Sequence, residues 1–242
     1  MDKDSFFKKF KLDFLLINDK LTYYEIGIKV EPTQCITHKF SCGFHFSSNE
    51  ELIPMFKPLM SDSMISTILQ TYTMDKKPAL NNYMPTVYIG VEKDEHEIYF
   101  NYDPPEPFGC SIELNSLKTS IYHRMLVTRQ DIYDVVKKDL PSFIQDKLRT
   151  ILFHYINPDP AIYTEFYKKD DNYLFNYYLY YKVSLSDVIC KEIQEVLRWI
   201  NPLEEIEHFF KTYSMAHISY LRVSKKKTDD KLSMTVYLRF PP

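Results

Sequence analysis

Apolar and polar residues alternate along five pairs of short segments, which predicts five β-hairpins. Each pair flanks a polar, charged or proline-containing turn, as a hairpin requires. The predicted strand pairs are residues 23–30 with 36–46, 86–91 with 97–102, 110–114 with 120–127, 161–167 with 173–183, and 216–224 with 231–240.

Apolar residues recur at helical spacing between these hairpins. Helices are predicted in the second half of residues 50–72 and from Thr128 onward, with a break at Pro141. Ser186 is the predicted N-cap of an amphipathic helix that runs to Ile200. Its inward positions are Ile189, Ile193, Val196, Leu197 and Ile200. Asn201-Pro202 is predicted to cap and restart a shorter helix.

The last part of the chain is predicted to contain two copies of one structural repeat. Residues 128–183 and residues 184–242 each read helix, helix, hairpin. The pairs Asp170-Asp171 and Asp229-Asp230 occupy corresponding turns. An isolated hairpin cannot bury its apolar face, so each repeat has to join a larger sheet. We therefore predict a single domain over residues 1–242.

The two faces of the predicted strands differ in chemistry. In the strand 231–240 one face is apolar and is expected under the helices, and the other is polar and contains tyrosine and arginine. The apolar positions are Leu232, Met234, Val236, Leu238 and Phe240; the polar ones are Lys231, Ser233, Thr235, Tyr237 and Arg239. The fourth hairpin repeats the pattern with Asn176, Tyr178, Tyr180 and Lys182.

Helices can cover one face of such a sheet, so the other face has to be solvated or the sheet has to close on itself. The predicted fold class is therefore α+β, with an antiparallel β-barrel of about ten strands built from helix–hairpin repeats and helices outside. An open antiparallel sheet covered by helices on one face is the first alternative. Two smaller α+β domains are the second.

Composition excludes several function classes. The 242 residues carry a formal charge of −3, so no global basic field attracts nucleic acid or an anionic membrane. Four glycines leave no GxGxxG, P-loop or GxSxG motif. The seven histidines and four cysteines show no metal-ligand spacing, and the cysteines are expected to be buried thiols in a reducing compartment. No signal peptide or membrane-length apolar run is visible, which predicts a cytoplasmic protein without a membrane span.

Tyrosine and basic residues on one sheet face suggest a particular chemistry. Arginine and lysine in a cavity need anions and would suit a diphosphate. Tyrosine rings stabilise a cation by roughly 0.5–2 kcal/mol each when well placed. A site that grips a diphosphate and surrounds a carbocation with rings would suit ionising prenyl transfer.

Repeated helix–hairpin units closing into a ten-stranded barrel resemble the aromatic prenyltransferases of the ABBA or PT-barrel type. In size the chain looks most like their peptide-modifying members. The segments Tyr178-x-Tyr180-x-Lys182 and Tyr237-x-Arg239 look like that family's lumen strands, and Glu25 lies where the family has an acidic residue near the acceptor.

That resemblance implies roles for twelve residues. Glu25 would be catalytic and would orient or deprotonate the acceptor. The diphosphate would be held by Lys29, Lys39, Arg124, Lys182 and Arg239. The cation and substrate would be shielded by Tyr122, Asn176, Tyr178, Tyr180, His217 and Tyr237.

The sequence therefore predicts transfer of a prenyl group from an allylic diphosphate to an aromatic or peptide acceptor in a barrel lumen. No cofactor is predicted from a motif, although Mg²⁺ could accompany the diphosphate. The alternative is a non-catalytic module that binds a ligand or protein with a tyrosine-rich sheet face. Convergence of at least three basic side chains would favour the enzyme.

Overall fold

The computed structural model describes most of the chain in separate ranges. These are residues 7–8, 21–44, 52–58, 60–72, 87–92, 95–101, 109–114, 119–124, 130, 133–134, 137–138, 140–153, 163–169, 172–184, 188–202, 204–214, 216–226 and 232–240. Within these ranges the predicted strands are confirmed. They are β1 (Leu21–Glu31), β2 (Gln34–Phe44), β3 (Val87–Glu92), β4 (Glu95–Asn101), β5 (Gly109–Glu113), β6 (Thr119–Arg124), β7 (Tyr163–Lys169), β8 (Asn172–Ser184), β9 (His217–Lys226) and β10 (Leu232–Phe240).

The described helices lie between hairpins, as predicted. They are α1 (Leu52–Phe56), α2 (Asp62–Tyr72), α3 (Ser142–Phe153), α4 (Val188–Ile200) and α5 (Glu205–Thr212). Helix α3 begins directly after Pro141, whose carbonyl oxygen accepts hydrogen bonds from the backbone N–H groups of Ile144 and Gln145. None of the helices in the described ranges has the length and apolar character needed to cross a bilayer.

The strands fall into two compact units. The first contains residues 1–24, 39–121 and 241–242, and the second contains residues 25–38 and 122–240. This division into compact units does not test whether residues 1–242 form a single domain, so that stays a prediction.

In the first unit, β2, β3, β4 and β5 pair antiparallel in that order. Facing residues are apolar at every second position and form a buried core across the strands. Its members include Phe40, Cys42, Phe44, Val87, Ile89, Val91, Ile98 and Ile112. Phe7 packs edge-on against Phe40 with 5.5 Å between ring centroids, so this core includes an aromatic ring from the N-terminal region.

In the second unit, β6, β7, β8, β9 and β10 pair antiparallel in sequence, and β1 lies beside β10. The apolar face of β10 is buried as predicted, with Leu232, Met234, Val236 and Leu238 in the core. Ile189, Ile193, Val196, Leu197 and Ile200 of α4 are also buried. The helical spacing of α4 and the alternation of β10 thus predict their core positions correctly.

The predicted closed ten-stranded barrel is corrected to the alternative of a large open antiparallel sheet with helices. The described registers join β2 to β5 in one antiparallel run and β6 to β10 in another. The physical reason is that alternation reports which side chains share a face of a sheet. It carries no information on whether the end strands meet.

Asn201 has a different role from the predicted helix cap. The N-cap position of α5 is Glu204, which makes no capping hydrogen bond through its side chain. The buried Asn201 side chain instead donates through Nδ2 to the backbone oxygen of Glu31 over 2.9 Å. Asn201 therefore connects the junction between α4 and α5 to the end of β1.

We predict that Asn201→Ala lowers the free energy of unfolding by about 1–3 kcal/mol, because it removes a buried hydrogen-bond donor and leaves a cavity. Urea denaturation measures the loss. Lys191→Ala, at an exposed position of α4, is the matched control and should change stability by less than about 0.5 kcal/mol. Equal losses in the two variants would contradict the structural role of Asn201.

Candidate functional site

The polar face of the second unit is organised by the strand registers of β6 to β10. Alternate residues of a strand share a face, and paired residues lie side by side on neighbouring strands. The registers align the polar residues in four rows. The first row is Tyr122, Glu165, Asn176, Ser224 and Ser233; the second is Arg124, Tyr163, Tyr178, Arg222 and Thr235; the third is Tyr180, Tyr220 and Tyr237; the fourth is Ser184, His217 and Arg239.

The rows bring predicted site residues together at the level of the backbone. Tyr122 and Asn176 share the first row, Arg124 and Tyr178 the second, Tyr180 and Tyr237 the third, and His217 and Arg239 the fourth. Lys182 lies where the register between β8 and β9 shifts, so no row contains it. The side chains of six predicted residues lie outside the described part of the structure. They are Tyr122, Arg124, Asn176, Tyr178, Tyr180 and Lys182.

A β-bulge brings Ser219 to this face. On β10, Tyr237 pairs with Tyr220 while the next residue, Leu238, pairs with Ile218. Ser219 is therefore the extra residue of β9 relative to β10, and no residue of β10 lies opposite it in the ladder. Its hydroxyl lies 3.2 Å from a carboxylate oxygen of Glu25 and 3.2 Å from the backbone oxygen of Tyr237.

Glu25 is the centre of the described site. Its side chain is 1% exposed, and Oε2 accepts hydrogen bonds from Nη2 and Nε of Arg239 at 3.2 and 3.4 Å. Ser219 Oγ donates to the same oxygen. A buried carboxylate is costly unless it is paired and hydrogen-bonded, and Arg239 and Ser219 meet both needs. The Arg239 side chain is 21% exposed, so this pair can be reached from the arginine side.

The hydroxyl of Ser219 carries one proton, so it donates to Glu25 or to the Tyr237 oxygen at any moment. The role that the sequence predicts for Glu25, orienting or deprotonating an acceptor, stays a prediction.

The other described basic residues of the predicted site also contact carboxylates. Lys29 forms an ion pair with Glu31 in the second unit. In the first unit, considered by itself, Lys39 Nζ lies 2.9 Å from Glu97 Oε2. Each of Lys29, Lys39 and Arg239 therefore has an acidic neighbour of its own, and a shared binding role for them stays a prediction.

Sequence reasoning missed several residues of the polar face. Arg222 and Tyr163 lie in the second row, and Ser219 contacts Glu25. The even-numbered residues from Tyr220 to Ser224 alternate with apolar ones, so the signal for Arg222 was present. Ser219 breaks this alternation and could be found only from the bulge.

Within the ranges that the structure covers, His, Cys, Asp and Glu side chains form no group of three or more that could hold a metal ion. Cys35, Cys42 and Cys190 are in the thiol form. Burial, together with the negative charge of Glu205, raises the pKa of Cys35 to about 11.

No protein-family model matches this chain, and no curated protein sequence matches it.

We predict that Arg239→Met lowers the free energy of unfolding by about 2 kcal/mol, because it leaves the buried Glu25 charge without its partner. The loss stays below that of a fully sealed pair because Arg239 is 21% exposed. Chemical denaturation measures it. The double variant Glu25→Gln/Arg239→Met should be more stable than Arg239→Met, since it removes the isolated charge.

Arg198→Met is the matched control for that experiment. Arg198 Nη2 lies 2.9 Å from Glu207 Oε1 in an exposed ion pair, which typically contributes about 0–1 kcal/mol. A larger loss at Arg198 than at Arg239 would show that the Glu25 pair is not the stronger structural contact.

We predict that Cys35 reacts slowly with iodoacetamide at about pH 8, because a pKa of about 11 leaves about one thiol in a thousand ionised. Glu205→Gln should speed the reaction, and Glu207→Gln is the control. Unchanged alkylation in Glu205→Gln would contradict the effect of the Glu205 charge on the pKa of Cys35.

The unfolded chain ionises the Cys35 thiol at a lower pH than the folded chain. The contribution of this thiol to the free energy of unfolding is therefore complete below the ordinary thiol pKa, and it is lost as pH rises towards about 11.

Proposed function

We propose that this chain is a non-catalytic binding module that takes a small ligand on the tyrosine-rich sheet face of its second unit. The observation that carries the proposal is the alignment of tyrosine, arginine, serine, asparagine and threonine in the rows across β6 to β10. Tyrosine offers a rigid ring and a hydroxyl, and short polar residues offer adaptable hydrogen bonds. The same residue types are enriched in protein recognition surfaces.

Burial favours a small ligand over a broad protein partner. Thr235 and Tyr237, which belong to the second and third rows, are each 2% exposed. A flat protein surface cannot contact side chains that are covered this completely. A ligand would have to displace neighbouring groups to reach them, which a small molecule or a single inserted side chain can do with less rearrangement.

The charges favour a neutral or zwitterionic ligand. Arg239 with Glu25 and Lys29 with Glu31 are acid–base pairs in the second unit. A diphosphate would have to compete with a carboxylate for each of these cations. A zwitterion can instead place its carboxylate towards the arginine and its ammonium group towards the glutamate, so each pair is complementary to it.

A second candidate is transfer of a prenyl group from an allylic diphosphate to an aromatic or peptide acceptor. It is favoured by the second row, in which Arg124, Tyr163, Tyr178 and Arg222 follow one another across four strands. Two arginines with two tyrosines between them would suit an anionic group beside a developing cation. Under this candidate Mg²⁺ could accompany the diphosphate. We place the protein in the cytoplasm under either candidate.

A thermal-shift experiment separates the two candidates. The probes are phenol, L-phenylalanine, inorganic diphosphate, and dimethylallyl, geranyl and farnesyl diphosphate with Mg²⁺. For a binding module we expect phenol or L-phenylalanine to raise the Tm by about 4 °C at about ten times its Kd, and inorganic diphosphate to have no effect. Tyr178→Ala should abolish the shift. Phe153→Ala, an exposed aromatic residue on α3, should retain it.

Stabilisation by the allylic diphosphates, together with release of inorganic diphosphate in the presence of an acceptor, would establish the second candidate and overturn the first. If no probe changes the Tm, both candidates fail for these ligand classes.

A further inference from the structure

The first unit contains a second polar cluster, formed by Lys39, Glu97 and Tyr99. Lys39 Nζ lies 2.9 Å from Glu97 Oε2 and 3.9 Å from the centroid of the Tyr99 ring. The Tyr99 hydroxyl donates a hydrogen bond to the same Glu97 oxygen. One ammonium group is thus held between a carboxylate and the face of an aromatic ring.

Gly90 provides the space for this arrangement. Gly90 lies on β3 directly opposite Glu97 on β4, between Lys39 on β2 and the carboxylate that Lys39 reaches. A Cβ atom at Gly90 would lie 2.7 Å from Cε of Lys39 and 3.2 Å from Cε2 of Tyr99. The absence of a side chain at Gly90 leaves room for the alkyl chain of Lys39 to cross this strand.

The surroundings of the cluster favour a cation. The register of β4 and β5 places Glu113 directly opposite Glu97, so a second carboxylate adjoins the first. Like charges at directly opposite positions of a sheet repel each other, and a cation between the strands relieves the repulsion. The ring of Tyr99 adds its negative face to the two carboxylates.

We propose that Glu97, Tyr99 and Gly90 form a binding site for a primary alkylammonium group of a ligand, and that Lys39 fills this site from within the chain in the free protein. The site is independent of the proposed function, which concerns the second unit. Its ligand class includes amines and the lysine side chain of a peptide.

Two observations make exchange between Lys39 and a ligand reasonable. The side chains of Lys39 and Glu97 are each 12% exposed, so a small part of the ion pair reaches solvent. Lys39 is also attached through a flexible four-carbon chain that can move into water. Because one ammonium group replaces another, the carboxylate and the ring keep a cation throughout the exchange.

Chemical rescue of the full chain tests the site. Lys39→Ala removes three carbons and the ammonium group, which n-propylammonium replaces atom for atom. We expect n-propylammonium chloride at about ten times its Kd to raise the Tm of Lys39→Ala by about 4 °C more than NaCl of equal ionic strength.

Three controls define the chemistry of the rescue. n-Propanol has the same alkyl chain without the charge and should not raise the Tm. Glu97→Gln in the Lys39→Ala background should abolish the rescue. Lys147→Ala, which loses a half-buried lysine that pairs with Glu192 and Glu195, should show none. Equal responses of Lys39→Ala and Lys147→Ala to the amine would overturn the proposal, because the ion pair at Lys39 would then be structural alone.

A measurement on the wild-type chain remains decisive if Lys39→Ala does not fold. Lysines are reductively methylated with ¹³C, and the signal of Lys39 is assigned by its absence in Lys39→Arg. The Tyr99 ring should shift this signal away from those of exposed lysines. Saturating n-propylammonium should return it to the position of exposed lysines, whereas NaCl should not. A signal that the amine does not move would show that ligands cannot displace Lys39.

Discussion

Burial of both faces of β10 governs which side chains this strand of the second unit carries. On β10 the apolar residues pack in the core, and Thr235 and Tyr237 on the opposite face are also buried. A buried polar group has to find its hydrogen bonds inside the protein. Glu25, Ser219 and Arg239 meet this requirement together, since one carboxylate oxygen accepts from both the hydroxyl and the guanidinium group. The polar face is therefore held by specific contacts, in contrast to a face that water could satisfy at any position.

The elements of the fold could be predicted from local pattern, and their closure could not. Alternation along β10 and helical spacing along α4 separate buried from exposed positions because both follow from backbone geometry. The pairing of Glu25 with Arg239 joins residues at opposite ends of the chain, and no local pattern contains such a contact. The arrangement of the strand runs depends on the same long-range information. For this reason the predicted barrel required correction, whereas the predicted strands did not.

The cluster at Lys39 shows how a residue can be identified and its partners missed. Lys39 stood out as a basic residue on a strand, but its neighbours are set by the registers of β3 and β4. Gly90 interrupts an apolar strand, and Glu97 and Tyr99 share parity on the next one. These three signals were present separately in the sequence. Only the pairing of the strands shows that Gly90, Glu97 and Tyr99 lie together at one site.

The extra residue at Ser219 has a consequence for how sequences of this kind are aligned. On β9 the bulge moves the polar face from even to odd numbers, since Tyr220 and His217 belong to successive rows of the same face. A relative that lacked one residue here would keep its strands and its hydrophobic alternation on either side. It would lose the serine that contacts Glu25, and its remaining β9 residues would align one position out of phase. Gap placement within this strand, rather than residue identity, would then distinguish chains that keep the Glu25 site from chains that keep only the fold.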